Sequence, residues 1–196
     1  MIKFVTILGH SFVSRLEQYI RYHADSNNNL NLNLSVPDGV EVSLFGVGGA
    51  TTDRIIKHKL SDIRLIPDVL ILEIGTNDLA DPTISPHDLV ENIDVILHFL
   101  KQNGVRLTVV CQILPRKNIP PYTPDFNRKV FQTNKILSKS LTHNNNAIFW
   151  QHRTLHKPMD KIFCDDGVHL NSTGQNYLYQ SYRTAIFRAL SLIDHM

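Results

Sequence analysis

The run Val69-Leu70-Ile71-Leu72-Glu73-Ile74, followed at once by Gly75-Thr76-Asn77-Asp78, decides the architecture. A near-continuous apolar hexapeptide is what a strand buried on both faces requires. Such strands belong to parallel sheets covered by helices. The turn-forming residues after it mark the strand's carboxyl end, where open parallel sheets place their ligands. Glu73 is the one polar interruption of the run.

Upstream, Lys3 to Leu8 reads as a first strand and leads into Gly9-His10-Ser11. Phe12, Leu16, Tyr19 and Ile20 then recur at helical spacing, which predicts a helix from Phe12 to about Asp25. The Asn-rich stretch 27–33 reads as a loop and Val40 to Phe45 as a second strand. Gly46-Val47-Gly48-Gly49-Ala50 is a turn, and Thr52 to Leu60 a helix. Downstream, Ser85-Pro86 pairs an N-cap with proline at the first helical position. That helix runs to Gln102, where Asn103-Gly104 closes it. Val105 to Leu114 is a fourth strand. Thr123-Pro124 opens another helix, which ends near Asn144-Asn145-Asn146. Ala147 to Trp150 is a short fifth strand, and Ser172 caps a last helix to about Ile193. Five strands alternating with five helices predict an α/β fold, a parallel sheet with helices on both faces. The expected strand order is flavodoxin-like, 2-1-3-4-5.

Composition sets the outer bounds. The 196 residues suit one domain, 1–196, and the proline-rich segment 115–124 reads as an ordered loop inside it. With 42% apolar and 19% charged residues, the chain is not a disordered one. A net charge of +2 is too small to imply nucleic-acid binding. The basic patches Arg54–Lys59 and Arg116–Lys117 read first as solvated surface. Contact with an anionic substrate group is the alternative for Arg116 and Lys117. Two cysteines, Cys111 and Cys164, exclude a disulfide scaffold and fit a reducing compartment. No apolar run approaches the ~18 residues of a membrane span, and the N-terminus lacks the pattern of a signal peptide. The expectation is a cytoplasmic protein.

Chemistry then depends on the residues that follow each strand. Ser11 lies where the first strand meets the first helix. Its hydroxyl faces the functional end of the sheet, and its N–H, near a helix N-terminus, can donate to a developing anion. Taken alone it also reads as an ordinary N-cap. Asp166 and His169 are three residues apart in the loop before the last helix, a spacing that lets the carboxylate hold the imidazole in one tautomer. Alone they also read as a turn aspartate and an exposed histidine. The Asn77 amide and the Gly49 N–H are candidate oxyanion donors, each with a plain turn as its alternative. The segment 46–51 is not a dinucleotide loop, because position 51 of the would-be GxGxxG is threonine. The joint pattern, from four separate strand ends, is far more specific than any single residue.

These blocks resemble the SGNH hydrolases, also called GDSL-like esterases and lipases. Ile7-Leu8-Gly9-His10-Ser11 is similar to the first block of that family, Gly46 to Thr52 to the second, Gly75-Thr76-Asn77-Asp78 to the third and Asp166-Gly167-Val168-His169-Leu170 to the fifth. The resemblance implies a three-layer α/β/α sandwich and a serine esterase acting on small carboxylic esters, acetyl esters included, through an acyl-enzyme. It makes Ser11, Asp166 and His169 catalytic. It assigns the oxyanion hole to Ser11, Gly49 and Asn77, and it implies no metal or cofactor. The chain departs from the family at His10, where an aspartate is usual. That aspartate is not the acid of the triad. An imidazole there can donate or charge, which bears on the nucleophile loop and the pH profile. The competing readings are a catalytically weakened binding module on the same fold and a nucleic-acid-associated role. The loops 80–86, 115–125 and 151–163 are expected at the rim; Pro115, Pro120, Pro121, Tyr122 and Phe126 read first as core or loop packing, with an apolar acyl wall as the alternative.

Overall fold

The computed structural model describes residues 2–23, 30–58, 66–155 and 159–195. Five strands are present: β1 (Lys3–Gly9), β2 (Val40–Gly46), β3 (Val69–Glu73), β4 (Leu107–Cys111) and β5 (Ala147–Trp150). They form one sheet in the order β2-β1-β3-β4-β5, with every pairing parallel. The helices are α1 (Ser11–His23), α2 (Thr52–His58), α3 (Pro86–Gln102), α4 (Phe126–Ser140), α5 (Met159–Ile162) and α6 (Ser172–Ile193). The expected ends of α1 at Asp25 and of α2 at Leu60 lie outside the described residues.

Alternate side chains of a strand point to opposite faces, and the core is sorted on that rule. Val5, Ile7, Val69, Ile71, Leu107 and Val109 pack with α1 and α6. Leu8, Leu70, Leu72 and Val110 pack with α2, α3 and α4 on the other face. This makes the α/β/α sandwich. It also accounts for the apolar run of β3, whose five residues are all buried at the middle of the sheet. Among the described residues no helix is long and apolar enough to cross a membrane.

Local signals set several boundaries. The Ser85 hydroxyl accepts from the Asp88 N–H at 3.2 Å, and the Asp88 carboxylate accepts from the Ser85 N–H at 2.8 Å. That capping box starts α3 where the sequence places it. At α4 the structure differs from expectation. The Thr123 hydroxyl donates to the Ala80 carbonyl at 2.7 Å, so Thr123-Pro124 makes a turn and the helix begins at Phe126. Asn171, rather than Ser172, caps α6 by accepting the Gly174 N–H at 3.0 Å. The one-turn helix α5 has no signal in the sequence pattern.

β1 passes into α1 with only His10 between them. Gly9 makes this possible. A Cβ on it would lie 2.3 Å from the Glu73 carbonyl oxygen of β3, whereas one on Gly48 would meet nothing within 4 Å. The Gly9 carbonyl accepts from Val47 at 2.9 Å and the Glu73 carbonyl from the His10 N–H at 3.1 Å, locking three strand ends together. Gly9→Ala should therefore cost about 1–3 kcal/mol through overpacking, read as a lower urea midpoint. Gly48→Ala should leave the unfolding free energy within about 0.5 kcal/mol of wild type.

Candidate active site

Ser11 is the first residue of α1 and opens onto the carboxyl rim of the sheet. Its N–H precedes the first intrahelical bond, and no acceptor among the described residues takes it. The loop before α6 brings Asp166 and His169 to the same place. One Asp166 oxygen accepts the Val168 and His169 N–H groups, each at 2.8 Å. The other lies 2.7 Å from His169 Nδ1. His169 Nε2 lies 3.2 Å from Ser11 Oγ. Burial pushes the Asp166 carboxyl up, but the bonds from His169 and Val168 outweigh it and hold it at about 2. The carboxylate is therefore charged and can only accept. The Nδ1 that faces it must carry the proton, which leaves the Nε2 lone pair for the serine hydroxyl.

Gly49 and Asn77 line the same cleft, of about 610 Å³, as Ser11 and His169. Gly49 has a left-handed φ of +65°, and its N–H has no acceptor among the described residues. Asn77 Nδ2 donates to the Ala50 carbonyl at 2.9 Å, and Asn77 Oδ1 accepts from Arg116 at 3.2 Å. Asp78 ties these two loops together by accepting the Thr52 N–H at 2.8 Å and the Thr52 hydroxyl at 2.6 Å. Ser11, Gly49, Asn77 and His169 thus line one cleft, and Asp166 joins them through its bond to His169. The arrangement can remove a proton from Ser11 and surround a nascent anion with N–H donors.

The walls of the cleft come from other residues. Ser14, Arg15 and Gln18 of α1, with Thr76 and Arg116, make them polar. Phe126 is buried beneath the Arg116 guanidinium, and Tyr122 is exposed. Pro115, Pro120, Pro121, Tyr122 and Phe126 form no acyl wall around this cleft. Part of the expected 151–163 rim, residues 156–158, lies outside the described residues.

Behind the cleft runs a buried network that the sequence signalled only through the polar interruption at Glu73. Glu73 accepts from His152 Nε2 at 3.0 Å and from the Tyr182 hydroxyl at 2.9 Å. His152 Nδ1 lies 2.8 Å from Ser181 Oγ. Burial raises the Glu73 carboxyl, and His152, His10 and Tyr182 more than reverse it, so it stays below its ordinary value. Burial and Glu73 push the Cys111 thiol well up. Glu73, Cys111 and His152 have metal-compatible spacing, within 4.8 Å of one another, but Glu73 and His152 are already bonded to each other.

His10 is buried with its Nε2 3.8 Å from Glu73, and its Nδ1 accepts the Phe12 N–H at 3.4 Å. Burial, against the opposing pull of Glu73 and with the help of Arg116 and His169, lowers its pKa to about 4. At neutral pH it is an uncharged packing and hydrogen-bonding group beneath the turn from β1 into α1.

Comparison with known proteins supplies the wider context. The model of the GDSL-like lipase/acylhydrolase family matches residues 7–177. No curated protein sequence matches. Among solved structures, a mutant acetyl esterase holding an acetate ion superposes with TM-score 0.68 at 18% identity, covering 100% of both chains. A carbohydrate esterase family 3 protein from Talaromyces cellulolyticus gives TM-score 0.67 at 18% identity, over 98% of this chain and 99% of that one. An acetylxylan esterase from Geobacillus stearothermophilus gives 0.63 at 14% identity, over 92% of each. At these identities the likeness is one of fold.

The state of His10 has a measurable consequence. An unfolded histidine takes its proton near ~6.5, but the folded one resists until about pH 4. Between these values the unfolded chain binds more protons, so stability falls as pH drops through the window and is unaffected by this group above it. The contribution is about 3 kcal/mol at most. Urea midpoints between pH 7 and pH 4 should fall more steeply for wild type than for His10→Asn. Equal slopes would show that His10 is not the group responsible.

Proposed function

The chain belongs to the GDSL-like lipase/acylhydrolase family and is a hydrolase of ester bonds; from that premise we propose that it cleaves small carboxylic esters, acetyl esters among them, through an acyl-enzyme on Ser11. The observation that carries the reading is the relay from Asp166 to His169 Nδ1 at 2.7 Å and from His169 Nε2 to Ser11 Oγ at 3.2 Å. The modest cleft and the acetyl esterases of like fold support a short acyl group. In this reading residues 1–196 act as one domain.

In the proposed reaction His169 takes the Ser11 proton as Oγ attacks the ester carbonyl. Asp166 keeps the imidazole oriented and stabilises the imidazolium. Negative charge on the former carbonyl oxygen is met by the N–H groups of Ser11 and Gly49 and by the Asn77 amide. His169 then protonates the leaving alcohol. Water, activated by the same imidazole, attacks the acyl-serine and releases the carboxylic acid. His10 takes no part in these transfers: it is buried and neutral, and the relay is complete without it. That argues against a binding module weakened by the change at this position.

A fluorophosphonate probe should label wild type once, at Ser11, and leave Ser11→Ala unlabelled. Intact-mass measurement reads both. Absence of labelling on folded wild type would favour the binding-module reading. On p-nitrophenyl acetate, Asn77→Ala should lower kcat by about 10²–10³. Asp166→Asn, which allows the wrong tautomer, should cost up to ~10⁴.

A further inference from the structure

An asparagine can serve an oxyanion only if its amide nitrogen, not its carbonyl oxygen, faces the reacting centre. A half-turn of the amide plane exchanges the two ends, and the isolated side chain has little preference between them. Something outside Asn77 must choose. The structure assigns that choice to Arg116, and we propose that Arg116 is the positioning residue that makes Asn77 a donor. The proposal rests on the reading of Asn77 as an oxyanion donor.

The geometry is restrictive. Arg116 Nη2 donates to Asn77 Oδ1 at 3.2 Å and to the Thr76 carbonyl at 3.0 Å. Its Nε donates to the Thr76 hydroxyl at 3.1 Å. A guanidinium has five donors and no acceptor, so only the oxygen end of an amide can face it. On the opposite side Asn77 Nδ2 meets the Ala50 carbonyl, which can only accept. A flipped amide would set N–H against guanidinium and oxygen against oxygen, losing both bonds. In the observed orientation one amide hydrogen goes to Ala50 and the second is left over for the substrate oxygen.

Arg116 is itself held by two adjacent residues of α4, Asn127 at its backbone and Phe126 at its side chain. Its N–H donates to Asn127 Oδ1 and its carbonyl accepts from Asn127 Nδ2, both at 2.9 Å. Its guanidinium lies 4.8 Å over the Phe126 ring. The side chain is fixed at α4, and the fixed fork then orients the turn after β3. Its charge also sits beside the amide that meets the oxyanion, where it polarises the amide N–H bonds toward a developing negative charge. Lysine keeps the charge but presents its three donors from one point, so it does not reproduce the fork by which Nε meets the Thr76 hydroxyl while Nη2 meets the Thr76 carbonyl and Asn77 Oδ1.

The test is a double-mutant cycle on p-nitrophenyl acetate. Arg116→Lys should lower kcat about tenfold or more, the loss of one charge-assisted hydrogen bond, with KM within about twofold of wild type. Because Arg116 acts through Asn77, the Asn77→Ala/Arg116→Lys double variant should be no slower than Asn77→Ala alone, within about twofold. Thr76→Val, which removes one of the bonds holding the guanidinium, supplies the same comparison if Arg116→Lys folds poorly. Its smaller kcat loss should likewise vanish in the Asn77→Ala background. If the loss from Arg116→Lys multiplies onto that of Asn77→Ala, or if Arg116→Lys keeps the wild-type kcat, the proposal is overturned while the oxyanion reading survives. If Asn77→Ala alone keeps the wild-type rate, the oxyanion reading fails and takes this proposal with it.

Discussion

The close approach of β1 to β3 at Gly9 and Glu73 is the constraint on which the rest of the site depends. Two strand ends meet with no room for a side chain, so the chain turns into α1 after a single residue. That brevity places Ser11 at the start of a helix, on the rim of the sheet, with its own N–H unspent. A longer connection would have let the hydroxyl wander and would have moved the helix terminus away from it. The same junction ties in the loop after β2 through the Val47 N–H, so the segment carrying Gly49 is set by the strand that leads to Ser11.

Glu73 turns that junction into an electrostatic problem. A carboxylate at the end of a fully buried strand needs partners, because charge without them is costly in a low-dielectric interior. His152 and Tyr182 supply the hydrogen bonds, with His10 alongside. This explains how an imidazole can occupy position 10. The site beneath Ser11 is already provided with a negative charge, and a neutral histidine there is both space-filling and polar enough to accept the Phe12 N–H. The network sits behind the cleft rather than in it, beneath the turn from β1 into α1.

At the front, orientation is imposed by groups that can only donate or only accept. Asp166 can only accept, which fixes the His169 tautomer. Arg116 can only donate and the Ala50 carbonyl can only accept, which fixes the Asn77 amide. The His169 ring and the Asn77 amide are each flanked by an unambiguous group. In the proposed reaction this arrangement would cost little reorganisation as charge develops, the condition under which oxyanion donors are most effective.

The apolar run of β3, the alternation of strands with helices and the Ser85-Pro86 cap were enough to read the α/β layers and the strand order. Their signals are local: periodicity, turn chemistry and caps act over a few residues. The Asp166–His169 pair was legible for the same reason, since both groups lie in one loop. Ser11, Gly49 and Asn77 were legible as strand-end residues, because a parallel sheet gathers its carboxyl ends on one rim. The contacts of Arg116 with Thr76 and Asn77, of Glu73 with His152 and Tyr182, and of Thr123 with Ala80 join residues about 40 to 110 positions apart. No local pattern encodes such pairs. The sequence by itself determined the layers and the rim. Only the packed structure decided which polar groups face one another across it, because hydrogen-bond partners distant along the chain are chosen by the approach of the elements that carry them.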